Sequence, residues 1–126
     1  MSKKILIAEE DHFLRKIYGH KLRALGVEII EVATGNEVLP KAISEKPDLI
    51  LLDIMLPGKN GFDILIELSS HKETKNIPSI VLSNLAQKED IERALSLGAK
   101  AYLIKSEASL SEIVNKVKEW LAKSSK

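Results

Sequence analysis

Five short runs of apolar residues, rich in Ile, Leu and Val, recur along the chain and constrain its fold more than any other feature. Most of them are continuously apolar rather than alternating, which is typical of strands covered on both faces in a parallel sheet. The run at 27–32 contains Glu28 and Glu31 and is therefore expected at an edge of the sheet. The predicted strands are residues 5–8, 27–32, 49–52, 79–82 and 101–104.

Segments with helical spacing separate and follow these runs, so that strands and helices alternate five times. This alternation predicts an α/β fold with a parallel sheet. Five strands favour the flavodoxin-like doubly wound (βα)5 architecture, in which a sheet of order 2-1-3-4-5 lies between two layers of helices. Ligands of such three-layer sandwiches bind beyond the carboxyl ends of strands 1 and 3.

Three of the predicted helices carry further detail. A capping box from Thr34 to Glu37 opens the second, where Pro40 should bend the second turn unless the helix begins later than Thr34. The first helix has an apolar side formed by Phe13, Leu14, Ile17, Leu22 and Leu25. The last has a stripe expected to face the core, formed by Leu110, Ile113, Val114, Val117, Trp120 and Leu121.

Composition limits the classes of function. The 126 residues suffice for one domain with its own core, and a formal net charge of +1 argues against nucleic-acid binding through overall basic charge. Cysteine is absent, so the chain has no disulfide, thiolate metal site or cysteine nucleophile. The apolar run near the N-terminus is too short for a signal peptide or a membrane span. We therefore expect a soluble cytoplasmic protein that binds neither nucleic acid nor membrane.

Acidic residues follow the first and third predicted strands. Glu9, Glu10 and Asp11 come after strand 1 and Asp53 after strand 3, so four carboxylates are expected at the switch point of the sheet. Two of them about 4 Å apart repel by roughly 4 kcal/mol at an effective dielectric constant of about 20. A hard divalent cation such as Mg²⁺ would resolve this repulsion. The alternatives are that Asp11 is a helix N-cap and that Asp53 is a turn residue.

Ser83 and Lys105 follow strands 4 and 5 and are expected at the same edge. A carboxylate nucleophile, a cation, a hydroxyl and a lysine are what transfer of a phosphoryl group to an aspartate requires. The acids also argue against a flavodoxin, because the loop after strand 1 would repel a flavin phosphate.

These residues resemble the signature of receiver domains of two-component signalling. The resemblance spans the whole chain and rests on Glu9-Glu10-Asp11, the stretch from Asp53 to Gly61, Ser83 and Lys105. It implies a receiver domain over residues 1–122 followed by a tail at 123–126, either as a stand-alone regulator or excised from a longer one. It also implies a phosphorylation-controlled switch rather than an enzyme.

The resemblance assigns a role to each residue. Asp53 would accept the phosphoryl group from a sensor histidine kinase or a phosphotransfer protein, while Ser83 and Lys105 bind the phosphoryl oxygens. Mg²⁺ would be held by Glu10, Asp53 and the Met55 carbonyl, with Glu9 acting through water. Asp11 is an alternative ligand.

Tyr102 matches the aromatic switch residue of the family. Phosphorylation is expected to draw Ser83 towards the phosphoryl group and to turn Tyr102 inward. This change would alter the face formed by helix 4, strand 5 and helix 5, which would then control an unknown downstream protein or form a phosphorylation-dependent dimer.

Three departures from the family pattern carry expectations of their own. Glu10 stands where Asp is usual, which moves the carboxylate outward. This is expected to weaken metal binding, or to make Asp11 share in binding the metal. Ser106 stands where Pro is common, so no cis peptide is expected at that bond. Met55 and Leu85 are apolar where polar groups can orient water, which predicts slow loss of phosphate.

Two alternative functions remain open at this stage. One is a pseudo-receiver that binds partners without phosphorylation, which Glu10 makes conceivable. The other is a small phosphohydrolase with an aspartate nucleophile, disfavoured because Met55 occupies the position of the second acid that such enzymes need.

Overall fold

Five parallel strands form one sheet in the order β2-β1-β3-β4-β5. The structure, a computed structural model, describes residues 2–123. The strands are β1 (Lys4–Ala8), β2 (Glu28–Val32), β3 (Leu49–Leu52), β4 (Ser79–Ser83) and β5 (Ala101–Ile104). The helices are α1 (His12–Arg23), α2 (Val38–Glu45), α3 (Gly61–Ser70), α4 (Lys88–Ser96) and α5 (Leu110–Lys123). The predicted fold class, the strand order and the edge position of β2 are confirmed.

The two faces of the sheet are covered by separate cores, because successive residues of a strand point to opposite faces. In β1, Leu6 and Ala8 belong to the core shared with α2, α3 and α4. Ile5 and Ile7 belong to the core shared with α1 and α5. Full burial of an Ile or Leu side chain contributes about 1.5–3 kcal/mol, so both faces stabilise the sheet. This double burial explains why the central strands have continuously apolar sequences.

Helix α1 turns only part of its predicted apolar side to the core, since Leu14, Leu22 and Leu25 pack there. Tyr18 and Leu22 are buried and Leu14 packs beside them, all at spacings of four residues. Phe13 is 79% exposed and Ile17 is 43% exposed. These two residues of the predicted apolar side therefore lie on a row of the helix that stays largely outside the core.

Pro40 lies in the first turn of α2, where it removes no helical hydrogen bond. A 3-10 helix (Gly35–Glu37) follows the capping box at Thr34, and α2 begins only at Val38. Since the first four amides of an α-helix have no partner within it, proline is tolerated there. The later start of α2 is thus the arrangement that spares the helix a bend.

Helix α5 buries the predicted stripe. Ile113, Val117 and Leu121 are buried, and Trp120 packs against the same core. Lys123, the first residue of the predicted tail, still belongs to α5, whereas residues 124–126 lie outside the described part of the chain. Among the helices described, none combines the length and the apolar character needed to cross a membrane.

Candidate functional site

The carboxyl ends of four strands meet at one edge of the sheet, where backbone hydrogen bonds hold their last residues in line. The amide of Asp53, just after β3, donates to the carbonyl of Ala8 at 3.0 Å. On the other side, the amide of Lys105 donates to the carbonyl of Ser83 at 2.9 Å. The structure therefore brings together the predicted site residues at the ends of β1, β3, β4 and β5.

Lys105 links the two buried acids of this edge. Its ammonium lies 2.6 Å from Glu9 Oε1 and 2.7 Å from Asp53 Oδ2. The side chains of Lys105, Glu9 and Asp53 are only 11%, 4% and 6% exposed. Asp53 Oδ1 accepts a further hydrogen bond from the amide of Met55 at 3.0 Å. The ammonium thus neutralises the carboxylate repulsion for which the sequence suggested a divalent cation.

The two carboxylates also decide the protonation of Lys105. Burial alone would lower the pKa of its ammonium, but the hydrogen bonds to Asp53 and Glu9 outweigh burial and raise the pKa above its ordinary value of 10.5. Lys105 is therefore a cation throughout the neutral range. On the alkaline side, its contribution to stability is lost as the pH rises through this raised pKa.

The three acids after β1 have separate positions. Glu9 is the buried one, and its Oε2 accepts a hydrogen bond from the amide of Asp11 at 3.0 Å. Asp11 is the N-cap of α1 and accepts from the amide of Leu14 at 3.0 Å. Glu10 is exposed, and its carboxylate has no hydrogen bond or ion pair to the described residues. The expected cluster of four carboxylates is not formed, because capping the helix draws Asp11 away and only one residue of the turn can face inward.

The oxygen donors at this edge come from few carboxylates. Within residues 2–123, no three His, Cys, Asp or Glu side chains are grouped closely enough to hold a metal. Mg²⁺, however, is usually held by one or two carboxylates together with waters and phosphate oxygens. The paired carboxylates of Glu9 and Asp53 supply that minimum with oxygen donors alone. The oxygen donors at this edge of the sheet therefore fit Mg²⁺.

Ser83 and Tyr102 meet at the loop that follows β4. Ser83 is fully buried, and its hydroxyl accepts from the amide of Leu85 at 3.3 Å. The Tyr102 hydroxyl donates to the carbonyl of Leu85 at 2.7 Å. Burial raises the pKa of the Tyr102 hydroxyl above its ordinary value. Tyr102 is thus packed inward against the same loop that carries the Ser83 hydroxyl.

The residue after Lys105 joins two loops of the site. All described peptide bonds are trans, as the sequence predicted for the bond before Ser106. The amide of Ser106 donates to Asn84 Oδ1 at 3.0 Å, a bond that proline would preclude. This hydrogen bond ties the loop after β5 to the loop after β4, and so fixes Lys105 relative to Ser83.

The hydrogen bond between the Ser106 amide and Asn84 can be tested by removing either partner. Asn84→Ala and Ser106→Pro should each lower the free energy of unfolding by about 1 kcal/mol, the usual net value of one hydrogen bond. The double variant should cost little more than either single variant, measured by urea denaturation. Ser106→Ala is the control because it retains the amide. If the losses of the two single variants simply added up in the double variant, the two residues would not act through this hydrogen bond.

Two residues of the site were not found by sequence reasoning. Arg15 donates to the carbonyl of Glu9 at 2.8 Å, and Asn84 accepts from Ser106. The available signal for Arg15 was its spacing of four residues from the N-cap Asp11, which directs a long side chain back to the preceding loop. Asn84 gave no such signal beyond its place next to Ser83.

Comparisons with known proteins identify the family of the chain. Residues 5–118 match the family model described as response regulator receiver domain, and the chain belongs to this family. It is 33% identical over 121 residues to the polar-differentiation response regulator DivK of Brucella ovis, covering 96% of this chain and 98% of DivK. It is 34% identical over 113 residues to the transcriptional regulatory protein PdtaR of Mycobacterium tuberculosis strain H37Rv.

The match to PdtaR covers 89% of this chain and 53% of PdtaR, so the chain spans about half the length of that relative. Among solved structures, a CheY-like receiver domain from Methanospirillum hungatei superposes with a TM-score of 0.89 at 30% identity. That superposition covers 98% of this chain and 97% of the other. The chain is a receiver domain of two-component signalling, a family of signalling switches that typically bind Mg²⁺ at the acidic site.

Proposed function

We propose that this chain is a phosphorylation-controlled switch in which Asp53 accepts a phosphoryl group from the phosphohistidine of a sensor histidine kinase or phosphotransfer protein. The observation that carries the proposal is the buried ion triad, in which Lys105 holds the carboxylates of Asp53 and Glu9 at one sheet edge. A lysine already bound to the acceptor carboxylate is placed to pair with phosphoryl oxygens. The proposed receiver spans residues 1–122.

The transfer step follows from the contacts of Asp53. A carboxylate oxygen forms a bond to phosphorus while the phosphorus–nitrogen bond of the donor breaks, and the imidazole leaves with its electron pair. The amide of Met55 holds Oδ1 at 3.0 Å and so fixes the plane of the carboxylate. Lys105 and the Ser83 hydroxyl stabilise the negative charge of the transferred group, since phosphoryl transfer depends mainly on positioning and electrostatics.

Mg²⁺, when bound, would supply further positive charge to the phosphoryl oxygens. Asp53, Glu10 and the Met55 carbonyl would hold it, and Glu9 would act through water, as the family resemblance implies. Since the Lys105 ammonium lies between Glu9 and Asp53, it must share these carboxylates with the metal. Glu10 would contribute its exposed carboxylate to the ligand set, whereas Asp11 is occupied as the cap of α1.

The experiment is incubation with Mg²⁺ and acetyl phosphate, followed by intact mass measurement. We expect one phosphoryl adduct per chain, abolished by Asp53→Ala. Asp63→Ala is the matched control, because Asp63 is an exposed aspartate in the first turn of α3. Absence of any adduct on the wild type would leave a pseudo-receiver, and phosphate turnover without an adduct would indicate a phosphohydrolase.

The adduct is expected to persist. Met55 is 56% exposed beside Asp53 and offers no polar group to orient an attacking water, and Leu85 is apolar as well. The phosphorylated form should therefore decay over minutes or longer in the presence of Mg²⁺, followed by intact mass. Met55→Asn should accelerate the loss. Decay of the wild-type adduct within seconds would contradict this prediction.

Tyr102 is proposed to couple the site to the face of α4, β5 and α5, which would engage a downstream protein or a second phosphorylated copy. Tyr102→Phe removes the donor to Leu85 and should reduce the phosphorylation-dependent change in hydrogen exchange of the β4–α4 loop and α4. The rate of Asp53 labelling should stay unchanged, because the hydroxyl does not touch Asp53. A full-sized exchange response in Tyr102→Phe would rule out the coupling role.

A further inference from the structure

Arg15 lies one turn into α1, and its guanidinium is directed back to the loop that carries the acids. Its Nη1 donates to the carbonyl of Glu9 at 2.8 Å and to the carbonyl of Glu10 at 3.3 Å. Its Nε donates to Glu31 Oε1 at 3.1 Å. The Arg15 side chain is only 14% exposed. One guanidinium therefore joins β2, α1 and the turn after β1.

These contacts go to backbone carbonyls, not to the carboxylates of the acids. Arg15 thus leaves the charges of Glu9 and Glu10 available and acts on the position of the peptides that carry them. The other side of the same turn is fixed by the amide of Glu9, which donates to the carbonyl of Val32 at 3.1 Å. Both ends of this short segment are consequently anchored to β2.

Glu31 is the anchor at the far end of the guanidinium. Burial alone would raise the pKa of its carboxyl, but hydrogen bonds from Lys16, Arg15 and Arg23 outweigh burial and lower the pKa below 4.5. Glu31 is therefore ionised at neutral pH, and its side chain is 15% exposed. Lys16 and Arg23 reach Glu31 from more exposed positions, with 55% and 51% of their side chains accessible.

We propose that Arg15 is a positioning residue for the cation site: it sets the places of the Glu9 and Glu10 carboxylates by holding both of their carbonyls against Glu31. The inference rests on the proposed function, in which those acids bind Mg²⁺. Mg²⁺ demands nearly octahedral geometry, so a displaced carboxylate costs affinity. Glu10 has a longer side chain than the usual Asp, and its reach therefore depends on where the backbone holds it.

Only the planar fork of arginine can serve two carbonyls and a carboxylate in fixed directions, because lysine presents a single point charge. Arg15→Lys and Arg15→Met should therefore both weaken binding of Mn²⁺, used as a probe for Mg²⁺, by ten- to a hundredfold, the usual effect of residues that support metal ligands. Binding is measured by electron paramagnetic resonance without any phosphodonor, and Mg²⁺ affinity by competition.

Arg23→Met is the matched control, since Arg23 also pairs with Glu31 but makes no contact with the acidic turn. It should retain wild-type Mn²⁺ affinity. Glu31→Gln should weaken binding less than the Arg15 variants, because the carbonyl contacts remain. Thermal unfolding in EDTA identifies any variant that is simply unfolded, and Arg15→Lys, which conserves charge, keeps the test valid if Arg15→Met does not fold.

Labelling of Asp53 provides a second readout. In Arg15→Lys the Mg²⁺ concentration for half-maximal labelling by acetyl phosphate should rise by the same factor as the dissociation constant. The labelling rate at saturating Mg²⁺ should stay unchanged. A lower maximal labelling rate with an unchanged Mg²⁺ concentration for half-maximal labelling would overturn the inference. Arg15 would then act in the transfer step and not by positioning the metal ligands.

Three further outcomes would overturn it: wild-type affinity in Arg15→Lys, an equal loss in Arg23→Met, or no binding of Mn²⁺ and Mg²⁺ to the wild type. Failure of the proposed function is distinguishable from all of them. If Asp53 is never labelled while Arg15 variants still lose Mn²⁺ affinity, the switch fails and the positioning role stands.

Discussion

Replacing Lys105 with methionine should lower the free energy of unfolding by about 3 kcal/mol in EDTA, because removing one partner of a buried ion pair leaves uncompensated charge. Here two carboxylates, those of Glu9 and Asp53, lose the single ammonium between them, and both are almost fully buried. Methionine conserves the apolar stem, so the loss reports the charge. Urea denaturation at neutral pH measures it.

A cation should reverse part of this loss. A ligand that binds only the folded state stabilises it according to its affinity and concentration, and in Lys105→Met the ammonium no longer competes for the two carboxylates. Mg²⁺ should therefore stabilise Lys105→Met more than it stabilises the wild type. Greater stabilisation of the wild type would contradict the view that Lys105 and the metal share these carboxylates.

Two variants separate this effect from the general loss of a lysine. Lys116→Met removes a lysine of α5 that pairs with the exposed Glu119 and should change stability little, as usual for surface ion pairs. Glu9→Gln in the Lys105→Met background should recover stability, because one of the two unpaired carboxylates is removed. If Glu9→Gln deepened the loss instead, the buried pair would not be its cause.

The architecture could be predicted because strands buried on both faces have continuously apolar sequences. Residues 49–52 read as a strand from the sequence, and β3 has the same bounds with all four side chains buried. The alternation with helices predicted a parallel sheet and the polar residues of the second run predicted its edge position, whereas the strand order was taken from the known five-stranded doubly wound fold. These features depend on local patterns and chain connectivity, which a single sequence contains.

The exposed row of α1 could not be predicted by the same means. Phe13 and Ile17 are as apolar as the buried residues of the helix, and hydrophobic spacing alone does not tell which of two adjacent rows meets the sheet. That choice depends on the rotation of α1 against β1 and α5. Burial of Tyr18 and Gly19 fixes the rotation, and neither residue stood out in the sequence.

The sequence predicted four members of the candidate site, but not their contacts and not Arg15 or Asn84. Glu9, Asp53, Ser83 and Lys105 were placed by the ends of their strands and by resemblance to the family. Which acid faces inward is decided by the N-cap of α1 and by one ammonium, contacts that depend on side-chain directions in three elements. Sequence spacing does not encode those directions.

Replacing Gly61 with alanine should destabilise the protein by about 3 kcal/mol, the upper part of the usual range for overpacking. A Cβ atom at this position would lie 2.6 Å from Ile54 Cα and 3.1 Å from the carbonyl oxygen of Asp53. The amide of Gly61 also donates to the carbonyl of Ile54 at 2.8 Å, so the loop after β3 closes directly onto the start of α3. The added methyl group must therefore push backbone that carries Asp53.

Gly61→Ala is a sharp test because overpacking predicts a loss of stability where Gly→Ala usually brings a gain. Gly61 has no positive φ, and at such a position alanine would otherwise stabilise the protein by about 0.4–1 kcal/mol through the unfolded chain. Gly98→Ala is the control, because its φ of +116° strains any side chain while a Cβ there meets no atom within 4 Å. Both variants should lose stability in urea denaturation, but only Gly61→Ala should also slow the labelling of Asp53 under conditions where the protein is folded. Equal labelling rates would mean that the loop yields to the methyl group without moving Asp53, and the close approach of Gly61 to Ile54 would then serve packing alone.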